Sequence, residues 1–80
     1  MAKQRVKFTY EKDLVTRPVI FELGKRFNVV TNIRRADVRD DMGWVVLELE
    51  GDEEDIGHGL RWVKVMGVRV DPVAGDMVEG

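Results

Sequence analysis

Apolar and polar positions first alternate along this chain, then recur at helical spacing, then alternate again. In "RVKFTY", Val6, Phe8 and Tyr10 share one parity and Lys7 and Thr9 the other, which predicts a half-buried strand. "VTRPVIFELGKRF" changes period: Ile20, Leu23 and Phe27 form one helical stripe with Val19 beside it. Thr16 is placed to cap that helix, and Pro18 suits its first turn, where a missing N–H costs nothing. Gly24 on the inward stripe costs about 1 kcal/mol of helix propensity relative to alanine. It predicts a close approach of helix to sheet.

"NVVTNIRRADV" predicts a second strand, "RDDMG" a hairpin turn rich in turn-forming residues, and "WVVLELEG" a third strand. On that third strand Val45, Leu47 and Leu49 take the core face, and Trp44, Val46, Glu48 and Glu50 the other. "DEEDIGHGLRWVKVMG" predicts a second helix, capped by Asp52, with acidic residues at the positive end of its dipole. Ile56, Leu60 and Val63 face inward, Gly57 and Gly59 weaken the first turns, and Gly67 ends the helix in a left-handed conformation. "VRVDPV" is the last strand, with Val68 and Val70 inward and Pro72 stopping it. Residues 1–73 form one domain, and residues 74–80 ("AGDMVEG") are expected to be a flexible C-terminal tail or linker.

The order strand, helix, strand, strand, helix, strand predicts an α+β ferredoxin-like βαββαβ plait. Its four-stranded antiparallel sheet would carry two helices on one face, in the spatial order 4-1-3-2. The second strand is then an edge. Its parity is irregular: with Ile33 inward, strict alternation would bury Arg35 without a partner and expose Ala36. One extra residue, a β-bulge at Arg34–Arg35, restores the phase and puts Ile33, Ala36 and Val38 on the core with both arginines in water. The open face would show Lys7, Thr9, Trp44, Val46, Glu48 and Arg69. Trp44 and Val46 are large apolar groups for such a face and predict a covered surface, as where two sheets pair or stack.

Composition narrows the chemistry. Eighty residues bury only roughly 60–65% of the unfolded surface, so stability is expected to be modest. Thirteen basic against fifteen acidic residues argue against nonspecific nucleic-acid binding. Trp44 alone, beside Glu48 and Glu50, is too little for RNA stacking on the sheet. Without cysteine and with one histidine, the chain has no thiol chemistry and no self-contained zinc site. The acidic run at residues 52–55 is accounted for by capping rather than by a metal, and His58 has no visible acid or nucleophile beside it. No phosphate-binding glycine loop and no apolar run near the ~20 residues of a bilayer span occur. No enzyme, cofactor, metal or membrane insertion is therefore expected, and a cytoplasmic location is the default.

The segments "RPVIFELGKRFNVVTNIRRADV", "GWVVLELEG" and "GVRVDPV" resemble the NIL domain family over about residues 3–73. That family is named for an Asn-Ile-Leu in its second strand, here Asn32, Ile33 and Arg34. The resemblance implies an ACT-like regulatory fold found at the C-terminus of methionine importer ATPases. There the domains pair as homodimers and bind methionine, which inhibits import. It is also found alone, or ahead of [4Fe–4S] ferredoxin modules linked to sulfur amino-acid metabolism. It implies that Asn32 is the methionine-contacting position in the importer branch, with Ile33 and Arg34 beside it; the edge position of Arg35 and the apolar open face at Trp44 and Val46 are what point to an interface there. An amide carries donors and an acceptor, so it can hold an ammonium or a carboxylate. Asn32 could equally be a polar edge residue bonded to a neighbouring turn. Arg34 and Arg35 could hold an anion bidentately or stand as solvated edge charges. Arg34 replaces the leucine of the motif, where an apolar side chain would suit a thioether. The alternative function is a ligand-free accessory module of a ferredoxin or a sulfur-metabolism enzyme.

Overall fold

The computed structural model describes residues 1–73. The chain runs β1 (Ala2–Glu11), a 3-10 turn (Lys12–Thr16), α1 (Val19–Arg26), β2 (Val29–Val38), β3 (Met42–Gly51), α2 (Glu53–Val65) and β4 (Arg69–Pro72). The sheet order is β2-β3-β1-β4, and every neighbouring pair is antiparallel. This is the ferredoxin-like plait expected from the periodicity, with β2 on an edge. The tail expected over residues 74–80 lies outside the described residues.

One sheet face carries the core. Val6, Phe8 and Tyr10 of β1 and Val45, Leu47 and Leu49 of β3 are buried under Val19 and Leu23 of α1 and Ile56 and Val63 of α2. At about 1.5–3 kcal/mol per fully buried aliphatic or aromatic side chain, this layer is the main source of stability. An aromatic contact ties the helices together: Phe27 and Trp62 rings lie 5.9 Å apart, with the Arg26 guanidinium 5.2 Å from the Trp62 ring.

Four local expectations are corrected. First, α1 begins at Val19 with Pro18 as its N-cap, because Lys12–Thr16 form a separate 3-10 turn; Thr16 therefore does not cap it. Beside this first turn the Glu22 carboxylate accepts two hydrogen bonds from Arg17, at 2.9 and 3.0 Å, on the surface. Second, the close-packed helical glycine is Gly59, not Gly24. A Cβ on Gly59 would sit 2.6 Å from Leu23 Cδ1, whereas one on Gly24 would be an ordinary 3.5 Å from the Val29 carbonyl. Third, the hairpin turn is only Arg39–Asp41, and Gly43 is a buried strand residue whose Cβ would lie 3.1 Å from Val38 Cα. Fourth, Ile33, Ala36 and Val38 are exposed rather than core; the reason follows from their position on the edge. Gly67 does take the left-handed conformation, at φ 101°, immediately after the last turn of α2.

Candidate functional site

The register of β2 on β3 decides where the polar edge residues stand. Ile33 pairs with Leu47, Arg35 with Val46 and Ala36 with Val45, with a shift between Ile33 and Arg35. Arg34 is the extra residue of the bulge, as the parity required. Directly opposed residues share a face, so Ile33, Ala36 and Val38 lie on the helix side with Leu47, Val45 and Gly43. The phase is right, yet Ile33 is 54% and Val38 56% exposed. Gly24 of α1 stands over Val29 and Thr31, at the start of β2, and the strand then runs on beyond the helix layer. A residue can face the core side without reaching the core.

Asn32 pairs with Glu48, which pairs with Arg5 across the open face; Arg5 Nη2 lies 3.4 Å from Glu48 Oε2. Asn32 itself is exposed, and among the described residues its side-chain amide makes no hydrogen bond. The bond to a neighbouring turn, one of its two readings, is thus absent from the described residues. Asn32 and Ile33 project to opposite faces, so only a group lying along the edge meets both. Arg34 is exposed at the bulge between them and Arg35.

The open face is less bare than its apolar residues suggest. Trp44 and Val46 are half-buried, and Lys7 Nζ lies 5.2 Å from the Trp44 ring centroid. Arg35, Val46, Lys7 and Asp71 form one row across the strands, and Asp37, Trp44, Thr9 and Arg69 the next. Strand parity brings Arg35, Trp44 and Val46 to one patch of the open face. Asp37 joins it, a residue the sequence reading passed over although its parity with Trp44 was available. A depression of about 160 Å³, lined by Asp37, Arg39, Met42, Gly43 and Trp44, opens at the hairpin end. That is below the ~300 Å³ at which small-molecule pockets usually begin. No group of three or more His, Cys, Asp or Glu that could hold a metal ion occurs among the described residues. No helix among them is long and apolar enough to cross a membrane.

Among solved structures, the chain is similar to the C-terminal domain of an ABC transporter/ATP-binding protein from Enterococcus faecalis. The TM-score is 0.72 at 16% identity, covering 88% of this chain and 82% of that one. It is also similar to the de novo designed protein Ferredog-Diesel, with TM-score 0.50, 22% identity, and 88% and 84% coverage. At these identities the likeness is one of fold. No curated protein matches the sequence. The NIL domain family matches residues 4–72, nearly the whole chain, and the chain therefore belongs to the NIL domain family.

Proposed function

We propose that this NIL domain is a non-catalytic regulatory module that binds methionine or a related sulfur amino acid at a homodimer interface. Asn32 carries the reading: it is an exposed amide on an edge strand, with no side-chain hydrogen bond among the described residues, at the position that the resemblance to the importer branch of the family implies for methionine. Its two donors and acceptor match an α-ammonium or α-carboxylate. A ligand lying along the edge meets Asn32 from the open side and rests its apolar tail against exposed Ile33 on the helix side. Arg34, at the bulge, supplies a second contact to the carboxylate. The depression of about 160 Å³ beside Asp37 and Trp44 is too small for such a ligand, so a partner subunit, with Arg35, Trp44 and Val46 at its contact, closes the site. A cytoplasmic place beside an importer ATPase fits the transporter context of the Enterococcus domain.

Isothermal titration with methionine, homocysteine and S-adenosylmethionine tests this. Saturable heat from one of them, lost in Asn32→Ala, is the expected result; silence from all three at millimolar concentration removes amino-acid sensing.

The accessory-module reading is favoured by one observation: a bulged, exposed Arg34 stands where an apolar side chain would suit a thioether. It predicts recovery of a ferredoxin or sulfur-metabolism enzyme with the chain. Trp44→Ala leaving that recovery intact would count against the open face as the docking surface.

A further inference from the structure

The two sides of β1 are used unequally. β3 pairs with all ten of its residues, from Ala2 to Glu11, whereas β4 pairs only with Val6–Thr9. Ala2, Lys3 and Gln4 thus have no strand on the β4 side among the described residues, and an unpaired edge is a template for another strand. The ladder nevertheless runs past the end of β4. Val73, one residue beyond Pro72, donates its N–H to the Arg5 carbonyl at 3.3 Å. In an antiparallel pair the residues that bond to the neighbour alternate along each strand. Because Val73 bonds toward Arg5, Pro72 directs its missing N–H away from β1, and the proline leaves the pairing uninterrupted. The same alternation turns the N–H and C=O of Lys3, two residues before Arg5, toward the unpaired edge.

On the helix side of this edge lies a depression of about 320 Å³, lined in part by Ala2, Gln4 and the core residue Ile56. The register of Val6 with Pro72, carried on, sets position 74 opposite Gln4 and position 75 opposite Lys3. Gln4 pairs with Leu49 of the core face, so position 74 looks into the depression and position 75 onto the open face. The residues at those positions are Ala74 and Gly75. Alanine brings no polar side-chain atom to be left unpaired beside Ile56. Glycine brings no side chain to compete with that of Lys3. Position 76 sets the limit. Asp76 opposite Ala2 would return to the helix side, where Asp52 and Glu53 line the adjoining depression, and a third carboxylate is repelled there.

We propose that the free edge of β1 is a strand-docking site filled by this chain's own residues 74–75, with Ala74 seated in the depression between β1 and α2 and Gly75 bonded to Lys3 through both backbone groups. Joined to a residue already in the ladder, this segment meets the edge intramolecularly, at an effective concentration on the order of millimolar. That advantage selects it over a strand from solution. The docked segment closes the β1 edge and leaves the β2 edge to partners, whichever ligand the protein binds.

Amide hydrogen exchange followed by nuclear magnetic resonance tests it, on the full chain and on a chain ending at Val73. The Lys3 amide is expected to exchange at least tenfold more slowly in the full chain. A nuclear Overhauser effect is expected between the α-protons of Gln4 and Ala74, which would form a close, non-hydrogen-bonded pair. Proline substitutions then read the parity. Gly75→Pro removes the donor to the Lys3 carbonyl and should abolish the slowing. Ala74→Pro, like Pro72, directs its missing N–H away from β1 and should keep it. Unchanged exchange at the Val6 amide, which faces β3, shows in each variant that the sheet is intact. A Lys3 amide that exchanges as fast in the full chain as in the shortened one overturns the proposal. Slowing that survives the shortening and grows with protein concentration overturns it in favour of a second copy at this edge. Equal loss in both proline variants overturns the register.

Discussion

Two glycines two positions apart on α2 meet opposite surroundings. A Cβ at Gly57 would meet nothing within 4 Å, while one at Gly59 would press to 2.6 Å from Leu23 Cδ1, inside a closed core. Glycine in a helix interior costs about 1 kcal/mol relative to alanine, so Gly57→Ala should stabilise the protein by up to that amount. Gly59→Ala gains the same propensity but forces Leu23 or Phe27 to move, an overpacking cost of about 1–3 kcal/mol, for a net loss of about 1. The two substitutions should move the urea midpoint in opposite directions. Equal shifts of one sign would show that α2 does not seat on α1 through Gly59. Sequence alone marked both glycines as helix-weakening and could not separate them, because spacing tells which stripe faces inward but not how near the neighbouring helix lies. Asn32 was legible as a candidate for the opposite reason: a polar residue inside a β-rich run is visible without any knowledge of depth.

At the scale of elements, the bulge was written in the chain. Burying Arg35 is so costly that parity alone required an extra residue, and the register places it at Arg34. Element order and the edge position of β2 were legible too, because period and connection rules leave few topologies. What could not be read was the extent of the helix layer. Ile33, Ala36 and Val38 have the face of core residues, yet α1 is only eight residues long, about 12 Å of helix, against a ten-residue strand of about 33 Å. The 3-10 turn at Lys12–Thr16 takes up chain that would otherwise have lengthened α1. Deleting Arg34 should leave Ile33 opposite Leu47 and Ala36 opposite Val45, straightening the strand at a cost within about 1 kcal/mol. Cross-strand nuclear Overhauser effects between Ala36 and Val45 that persist in the deletion would support this. Their loss would show that the bulge also holds the register.

For the molecule as a whole, stability is tied to pH at both ends of the scale. The hydrogen bonds and charge of Arg17 hold the Glu22 carboxyl below its ordinary range. A depressed carboxylate contributes above its unfolded value and loses that contribution as pH falls through the folded one, so this part of the stability fades in acid. The pair is at the surface, and screening keeps the effect small. The alkaline side rests on Tyr10, buried on the helix face with its ring edge-on to Phe8 at 6.4 Å. Burial disfavours the phenolate and pushes the Tyr10 hydroxyl well above its ordinary value of 10.0. A raised value gives stability that is fully present below the unfolded value and is lost as pH climbs toward the folded one. From about pH 10 upward the unfolded chain releases the proton and the folded chain does not, which costs up to about 1.4 kcal/mol per pH unit. Lysines titrate in the same range, so the informative quantity is a difference between two proteins. Tyr10→Phe keeps the ring and its contact with Phe8 but has no proton to lose. Its urea-unfolding free energy should therefore fall less steeply than the wild type's between pH 10 and about pH 12, the two curves converging or crossing as pH rises. Parallel curves would mean that Tyr10 ionises as freely in the folded protein as in the unfolded chain, and that the top of the β1–β3 core admits water.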